Sequence, residues 1–513
     1  MKRKFCEWLK NAVFYEIYPQ SFSDTNADGI GDLQGIIAKL DYIKDLGCNA
    51  IWINPCFVSP FMDAGYDVSD YYNIAPRYGT NEDMRELCKE VHNRGMHILL
   101  DLVPGHTSME HPWFKESAKA EKNEYTDRYI WTDVVWDPPI ELSTLRGFSD
   151  RDGAAVVNFF SFQPALNYGY QNITNPLWQL PTDAQGPQAT LKEMKNIMAF
   201  WLDIGCDGFR VDMASSLVKN DPEFVGIKKL WNNVREFLDE KYPESVIISE
   251  WGDPETALKA GFDMDFLLHF GPTHYMDLFR EGKPYFSKDA DVDIAEFLSS
   301  YMKIYESSRD EGYICIPTGN HDMLRISDKL DDKAIRLAFV FLLTMPGCPF
   351  IYYGDEIGMK YIKMCSKEGG YFRTGSRTPM QWDSSKNFGF SSADADKLYL
   401  PVDTSSDAPT VEAQMKEEKS LYNEVKKLLK IRNSYTELQS DAKVEFLTKS
   451  GYPLVYIREN EKGKILIIIN PSNKEVTYNT LLTGEKLYSF GKTEVIDGTY
   501  LLSPQSALLI KVR

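Results

Sequence analysis

Residues 190–212, TLKEMKNIMAFWLDIGCDGFRVD, contain a helix pattern followed directly by a strand pattern. Apolar side chains recur at helical spacing through the first half of this stretch. Thr190 and Glu193 form a capping box, which predicts that the helix begins at Thr190. The run Gly208–Asp212 is short and largely apolar and predicts a buried strand. The stretch therefore predicts one α/β unit.

The same alternation of helix and strand patterns runs through most of the chain. Seven further short apolar runs predict strands: Phe14–Ile17, Ala50–Ile53, His97–Leu102, Val246–Glu250, Met264–Leu267, Tyr313–Thr318 and Pro349–Tyr352. Strands that alternate with helices predict an α/β fold with a parallel sheet, and eight of them close a (β/α)8 TIM barrel. Periodicity alone does not distinguish the closed barrel from an open doubly wound sheet.

Two segments break this alternation and predict smaller domains. Residues 107–172 carry many turn formers and no repeating helix pattern, which predicts a small inserted domain after the third strand. After a helix pattern over Leu421–Ile431, further short apolar runs predict antiparallel strands: Lys443–Leu447, Leu454–Arg458, Ile465–Ile469 and Ala507–Val512. We therefore expect a barrel over residues 1–106 and 173–434, an inserted domain over 107–172 and an antiparallel β-sandwich over 435–513.

The composition excludes several classes of partner. The 513 residues include 57 basic and 75 acidic ones, a formal net charge of −18, without a basic stripe, which argues against nucleic acid and anionic membranes. No run approaches about 18 consecutive apolar residues, and Glu7 and Lys10 interrupt the N-terminal stretch, so neither a membrane span nor a signal peptide is expected. The eight cysteines are scattered without C-x-x-C pairs, which favours a cytoplasmic protein with reduced thiols. The sequence leaves the oligomeric state open.

Three acidic residues stand at or just beyond the predicted carboxyl ends of strands: Asp212, Glu250 and Asp322. Chemistry in a (β/α)8 barrel lies at that end of the strands, and an acid there is costly unless it is paired or faces a cleft. A structural ion pair, for instance Arg210 with Asp212, would explain one such acid but not three. A pair of carboxylates that converge on one cleft suits glycoside hydrolysis, in which one acid attacks carbon and the other protonates the leaving oxygen.

The motifs around these acids resemble, in their order along the chain, those of the α-amylase superfamily, glycoside hydrolase family 13. They are DLVPGH (Asp101–His106), QPALN (Gln163–Asn167), GFRVD (Gly208–Asp212), SE (Ser249–Glu250) and NHD (Asn320–Asp322). The strings YGDEIGM (353–359) and RTPMQWD (377–383) are more typical of its oligosaccharide-acting branch, which contains α-glucosidases, oligo-1,6-glucosidases and trehalose synthases. The resemblance implies a (β/α)8 barrel and a retaining enzyme that acts on α-glucosides.

By this resemblance the three acids divide the catalytic work. Asp212 is the nucleophile that forms a covalent β-glucosyl enzyme, Glu250 is the general acid and base, and Asp322 holds the sugar hydroxyls and stabilises the transition state. A retaining enzyme places the two reacting carboxyls about 5–5.5 Å apart. Arg210 lies two residues before Asp212 on the same strand face, where it can keep that carboxylate ionised. An apolar strand end beside Trp251 predicts a raised pKa for Glu250.

The remaining substrate-binding residues also follow from the resemblance. His106 and His321 match the histidines that hydrogen-bond the hydroxyls of the reacting sugar. Asp63 and Tyr66 match the residues that close the non-reducing end of the pocket, Tyr66 by stacking on the glucose face. Arg373 matches an arginine that binds the same glucose.

The loop DTNADGIGD (24–32) has the oxygen-rich spacing of a cation site. It offers the backbone carbonyl of Ile30 and the side-chain oxygens of Asp24, Asn26, Asp28 and Asp32. It opens like an EF-hand loop but lacks the bidentate Glu, and it resembles instead the calcium loop after the first strand of the oligosaccharide-acting enzymes. We expect one structural Ca2+, with Mg2+ also compatible, and no organic cofactor.

A second calcium site is not expected. Calcium-dependent amylases carry Asn where this chain has Gly105 and Asp where it has Ala165, and both residues supply ligands to the calcium between the barrel and the inserted domain. Losing two oxygen ligands together argues against that site.

The expected activity is that of an exo-acting α-glucosidase that hydrolyses short, neutral α-glucosides. A transglucosidase or isomerase of the trehalose-synthase or sucrose-isomerase type uses the same triad, and the sequence does not separate the two. An endo-acting α-amylase is less consistent, because Ser215 and Ser216 stand where amylases tend to carry Lys and His. A non-catalytic relative, such as a transporter heavy chain, is disfavoured by the three retained acids. Met213, directly after the nucleophile, leaves the linkage preference open.

Overall fold

Eight parallel strands form a closed barrel in the computed structural model, which describes residues 6–136, 139, 141–268, 273–365, 367–368 and 372–513. Each strand pairs with its neighbours along the chain, and the last pairs with the first. The strands are Phe14–Ile17, Ala50–Ile53, His97–Leu102, Gly208–Val211, Val246–Ser249, Met264–Phe266, Tyr313–Pro317 and Cys348–Tyr352. They match the eight predicted strands, so the closed barrel is confirmed.

Apolar side chains fill the interior of the barrel as well as its outer face. Phe14, Trp52, Leu99, Ile248 and Phe350 pack together inside it, and the rings of Phe14 and Phe350 stack with centroids 4.3 Å apart. The alternate residues of each strand face the surrounding helices. Polar side chains gather where this interior layer stops, at the carboxyl ends of the strands.

One helix after each strand covers the outside of the barrel. These helices are Leu33–Leu46, Asn81–Asn93, Gln185–Ile204, Val225–Lys241, Pro254–Lys259, Ala295–Ser308, Asp332–Thr344 and Leu421–Ser434. Shorter helices occupy Pro112–Ser117, Met276–Phe279 and Val411–Lys416.

The predicted start of the third of these helices is wrong. The helix begins at Gln185, and Thr190 is an interior residue whose hydroxyl donates to the Gly186 carbonyl at 3.1 Å. Pro187 lies in the first turn of this helix, where proline is tolerated because the N–H groups have no helical partner. The Thr-x-x-Glu pattern therefore occurs inside this helix without capping it.

The segment between the third and fourth strands is small and mostly irregular. Besides its short helix it contains an antiparallel pair, Thr144–Arg146 with Ala154–Val156. Ile130, Val156, Ala165 and Tyr170 form a small apolar core of its own. These features agree with an inserted domain after the third strand, and its boundaries at 107 and 172 stay a prediction.

The C-terminal region consists of antiparallel sheets, as expected. One sheet has five strands, in the order Lys443–Phe446, Leu454–Asn460, Gly463–Asn470, Ser506–Val512 and Gly484–Phe490. A second has the order Val476–Asn479, Thr499–Leu502 and Thr493–Ile496. Four of these strands were not predicted. Three of them bury few side chains, and the fourth, Thr499–Leu502, is only four residues long.

Within the described residues, no helix is both long enough and apolar enough to cross a bilayer. The eight cysteines form no disulfide there. A cytoplasmic location stays a prediction.

Candidate active site

A cavity of about 480 Å³ opens at the carboxyl ends of the barrel strands. Seven of the nine predicted catalytic and substrate-binding residues line it: Asp63, Tyr66, His106, Asp212, Glu250, Asp322 and Arg373. The other two, Arg210 and His321, lie buried behind these residues and hydrogen-bond to them. Residues separated by up to 310 positions in the chain thus meet at one site.

Arg210 joins three carboxylates below the cavity. Its Nη1 lies 2.9 Å from Asp101 Oδ1 and 2.9 Å from Asp212 Oδ1, and its Nη2 lies 2.7 Å from Glu250 Oε1. The side chains of Arg210 and Asp212 share a strand face, so the guanidinium reaches the second residue after its own. Because Asp212 and Glu250 contact neighbouring nitrogens of one guanidinium, their carboxyl groups lie side by side.

Burial raises the pKa of both Asp212 and Glu250, and the pKa of Glu250 is slightly the higher of the two. Burial raises the pKa of Asp212 to about 6 against the opposing charge of Arg210. It raises the pKa of Glu250 to about 7, again opposed by Arg210 but reinforced by the charges of Asp212 and Asp322. Between these values Asp212 is mostly ionised while Glu250 mostly keeps its proton. That is the pairing of nucleophile and general acid that a retaining mechanism requires.

Asp322 is held as a carboxylate by three cations. Its Oδ1 accepts from Arg373 Nη1 and Arg377 Nη2, both at 2.8 Å, and its Oδ2 lies 3.2 Å from His321 Nε2. Although burial opposes ionisation, His321 and the two arginines hold the pKa of Asp322 well below its usual range. This acid is therefore ionised at neutral pH.

Asp63 and Arg373 form an ion pair in the lining of the cavity. Arg373 Nη2 pairs with Asp63 Oδ1, and Gln163 Nε2 donates to Asp63 Oδ2 at 2.7 Å. Arg373 therefore bridges Asp63 and Asp322 with the two ends of its fork. Burial raises the pKa of Asp63 to about 6 in spite of Arg373. Gln163 belongs to the QPALN motif, but its contact with Asp63 was not predicted.

Tyr66 and His106 form the neighbouring wall. The Tyr66 hydroxyl donates to Asp101 Oδ2 at 3.0 Å, which fixes the ring against the cavity. His106 Nε2 lies 3.1 Å from the Tyr66 carbonyl oxygen. Burial lowers the pKa of His106 to about 3, so its ring is neutral.

Four further residues line the cavity: Asn158, Phe159, Phe160 and Met213. The first three come from the inserted segment, where no periodicity marks a side chain as facing the site. Met213 was singled out only for linkage. Its backbone is left-handed (φ 41°, ψ 48°), which is strained for a residue other than glycine, and its N–H donates to Glu250 Oε2 at 3.1 Å.

In the predicted cation loop, residues 24–32, the acidic side chains accept hydrogen bonds from backbone N–H groups of the same loop. Asp24 Oδ1 accepts from Ala27 N–H at 2.8 Å, Asp28 Oδ1 accepts from Ile30 N–H at 2.8 Å, and Asp32 caps the first helix. Among the described residues, the ligand atoms of His274, Asp277 and Glu296 lie within 4.8 Å of one another, whereas Asp24, Asp28 and Asp32 do not form such a group. The predicted site also depends on oxygens of Asn26 and Ile30, and Ca2+ binding there stays a prediction.

Lys219 lies near Gly105, the position at which calcium-dependent amylases carry an Asn ligand to the second calcium. Its Nζ donates to the Ser216 carbonyl at 2.8 Å and lies 3.3 Å from Asn158 Oδ1. Asn158 in turn donates to the Gly105 carbonyl at 2.8 Å, so a protein ammonium group ties the cavity wall to the loop after Asp212.

A closed (β/α)8 barrel with a buried Asp–Glu pair beside one arginine, at the carboxyl ends of the fourth and fifth strands, defines a glycosidase-type site. The family comparison agrees, since residues 16–441 match the α-amylase catalytic domain. The chain belongs to the α-amylase family and is a glycoside hydrolase enzyme.

The proteins that are similar to this chain have different names. It is 33% identical to an oligo-1,6-glucosidase of Heyndrickxia coagulans, covering 92% of this chain and 94% of that protein. It is 32% identical to the trehalose synthase/amylase TreS of Mycolicibacterium smegmatis, covering 88% and 80%. The solved trehalulose synthase MutB of Pseudomonas mesoacidophila is 25% identical, with a TM-score of 0.83 over 99% of this chain and 100% of that one.

Proposed function

We propose that this protein is a retaining, exo-acting α-glucosidase that hydrolyses short, neutral α-glucosides. Asp212 attacks the anomeric carbon and forms a glucosyl ester while Glu250 donates its proton to the departing glycosidic oxygen. Glu250, now a carboxylate, then takes a proton from water, and the resulting hydroxide displaces Asp212 from the same carbon. Two displacements return the configuration of the substrate, so the first product is α-glucose.

The bridge from Asp63 through Arg373 to Asp322 carries this proposal. It supports the binding of a chain end, because the Asp63–Arg373 pair lines the same cavity as Asp212 and Glu250, and by the resemblance Asp63 closes the non-reducing end of the pocket. Carboxylates and a guanidinium are the groups that hydrogen-bond sugar hydroxyls in several directions. A cavity of about 480 Å³ also lies at the small end of the range of about 300–1,000 Å³ for small-molecule sites, which favours short substrates.

A transglucosidase or isomerase activity is the second candidate. The relatives named trehalose synthase and trehalulose synthase support it, since they match this chain about as well as the oligo-1,6-glucosidase does. The same glucosyl ester would then be attacked by a sugar hydroxyl instead of water.

One product assay separates these functions. Maltose, isomaltose, sucrose, trehalose, maltotriose and starch are each incubated with the enzyme, and the products are followed by proton NMR from the first minute. Hydrolysis of the short substrates to α-glucose supports the α-glucosidase, whereas a new disaccharide without free glucose supports the isomerase. Faster turnover of starch than of maltotriose would contradict the exo-acting assignment.

A further inference from the structure

Glu16 is a buried carboxylate that the proposed reaction does not use. It belongs to the first barrel strand, is 0% exposed, and its Oε1 lies 2.8 Å from His321 Nδ1. Asn54 Nδ2 donates to the same oxygen at 3.2 Å and lies 3.1 Å from His321 Nδ1. Glu16 Oε2 has no hydrogen-bond partner among the described residues. A buried carboxylate is costly unless a cation compensates it.

The other ring nitrogen of His321 also faces acceptors. Its Nε2 lies 3.2 Å from Asp322 Oδ2 and 2.6 Å from the Tyr66 hydroxyl oxygen. The Tyr66 hydroxyl donates its own proton to Asp101, so it accepts from His321. An ionised carboxylate only accepts, so with Glu16 and Asp322 both ionised the two nitrogens of His321 carry protons. The contacts are then those of an imidazolium ion between two acids.

We propose that Glu16 is a positioning residue that keeps His321 in the imidazolium form, and that this cation holds Asp322 ionised and Tyr66 against the cavity. Asp322 and Tyr66 matter for the reaction only if the proposed function is correct, and to that extent the inference rests on it. The protonation state of His321 does not depend on the proposed function.

Aromatic rings and further titratable groups surround His321. Its ring lies nearly parallel to those of Tyr18 and Tyr66, with centroids 6.1 and 5.3 Å away, and meets Trp52 edge-on at 5.9 Å. The titratable and charged groups that face it from the surrounding elements are Glu16, Tyr18, Tyr66, Asp101, Asp322, Arg210 and Arg377. Burial lowers the pKa of His321, but Asp322 and Glu16 raise it to about 9.

Replacing Glu16 by Gln removes the charge and keeps a carbonyl oxygen that accepts from Nδ1. An opposite charge at this range shifts a pKa by about 1–3 units. The pKa of His321 should therefore fall by about 1–3 units from about 9, and His321 should lose its proton between mildly acidic and mildly alkaline pH. Above that pH Asp322 loses one of its three cations.

The test is an NMR titration of ring-labelled histidine in the substrate-free enzyme. The chain has seven histidines, and the His321 signal is assigned by its loss in His321→Asn. Wild type, Glu16→Gln and the charge-retaining Glu16→Asp are compared with Glu356→Gln. Glu356 is a matched control, since it is also 0% exposed and accepts from the hydroxyls of Tyr15 and Tyr42, both at 2.6 Å.

We expect His321 to titrate above pH 8 in wild type and Glu356→Gln, at least one unit lower in Glu16→Gln, and close to wild type in Glu16→Asp. In Glu16→Gln only, kcat/KM should fall more steeply on its alkaline side, because His321 then loses its proton in the same pH range as Glu250. A wild-type His321 that titrates below pH 7 overturns the proposal even if Glu16→Gln fails to fold. So does an unchanged titration in Glu16→Gln. Because no substrate is present, a wrong proposed function leaves this result intact.

Discussion

Replacing Arg373 should disable the pocket in proportion to the hydrogen bonds that are lost. The guanidinium donates from Nη1 to Asp322 and pairs through Nη2 with Asp63, and its side chain is 16% exposed. Each such charged hydrogen bond contributes about 1.5–3 kcal/mol. Arg373→Ala loses both and leaves two acids facing each other, so kcat/KM should fall by about 10²- to 10⁴-fold. Arg373→Lys keeps the charge but not the fork, and should lose about 10- to 150-fold.

The assay is steady-state hydrolysis of a chromogenic α-glucoside, with thermal unfolding of each variant as a control for folding. Lys195→Ala on a partly exposed helix face serves as a loss of a cation outside the cavity. Its Nζ donates only to Asn233 among the hydrogen bonds of the described residues and lies 5.5 Å from the centre of the Phe237 ring. We expect that control to stay within twofold of wild type. An Arg373→Lys enzyme as active as wild type would refute the reasoning, because it would show that the bridge between Asp63 and Asp322 is not needed.

Three other outcomes follow from the same site. The pH profile of kcat/KM should be a narrow bell. It should rise near pH 6 as Asp212 loses its proton and fall near pH 7 as Glu250 loses its proton. A kcat/KM that is flat from pH 5 to 8 would contradict these roles. If the loop 24–32 binds Ca2+, then EDTA should lower the melting temperature of the wild-type protein, and added Ca2+ should restore it. Added Ca2+ should not restore it in Asp28→Asn. A melting temperature that does not change with EDTA would count against the site. Lys219→Met should weaken the tie between Asn158 and the loop after Asp212 and raise KM more than it lowers kcat, whereas unchanged kinetics would make that contact dispensable.

The sequence predicted the barrel well because each strand is a short apolar run buried on both faces. The exposed strands of the C-terminal region have no such run, and strands such as Thr493–Ile496 were therefore not predicted. The start of the helix at Gln185 was wrong for a related reason, since a local capping pattern does not report whether the preceding residues continue the helix. Local signals thus identified the buried elements and not the exposed ones.

In the site, residues in motifs could be named from the sequence, but not the contacts between them. Asp63 and Arg373 lie 310 positions apart, and only the folded chain brings them into one ion pair. Phe159 and Phe160 line the cavity from an irregular segment in which no spacing marks them. The sequence places Glu16 in a buried strand but does not indicate its partner. The structure does, because Glu16 Oε1 lies 2.8 Å from His321 Nδ1.

The measurement that tests the central claim most directly is the identification of the trapped glucosyl ester. The enzyme is incubated with a fluorinated glucosyl substrate that slows the second displacement, and the digested protein is examined by tandem mass spectrometry. We predict a single added fluorohexosyl mass on the peptide that contains Asp212, and its absence in Asp212→Asn. Label on another carboxylate, or turnover of this substrate by Asp212→Asn at the wild-type rate, would contradict the assignment.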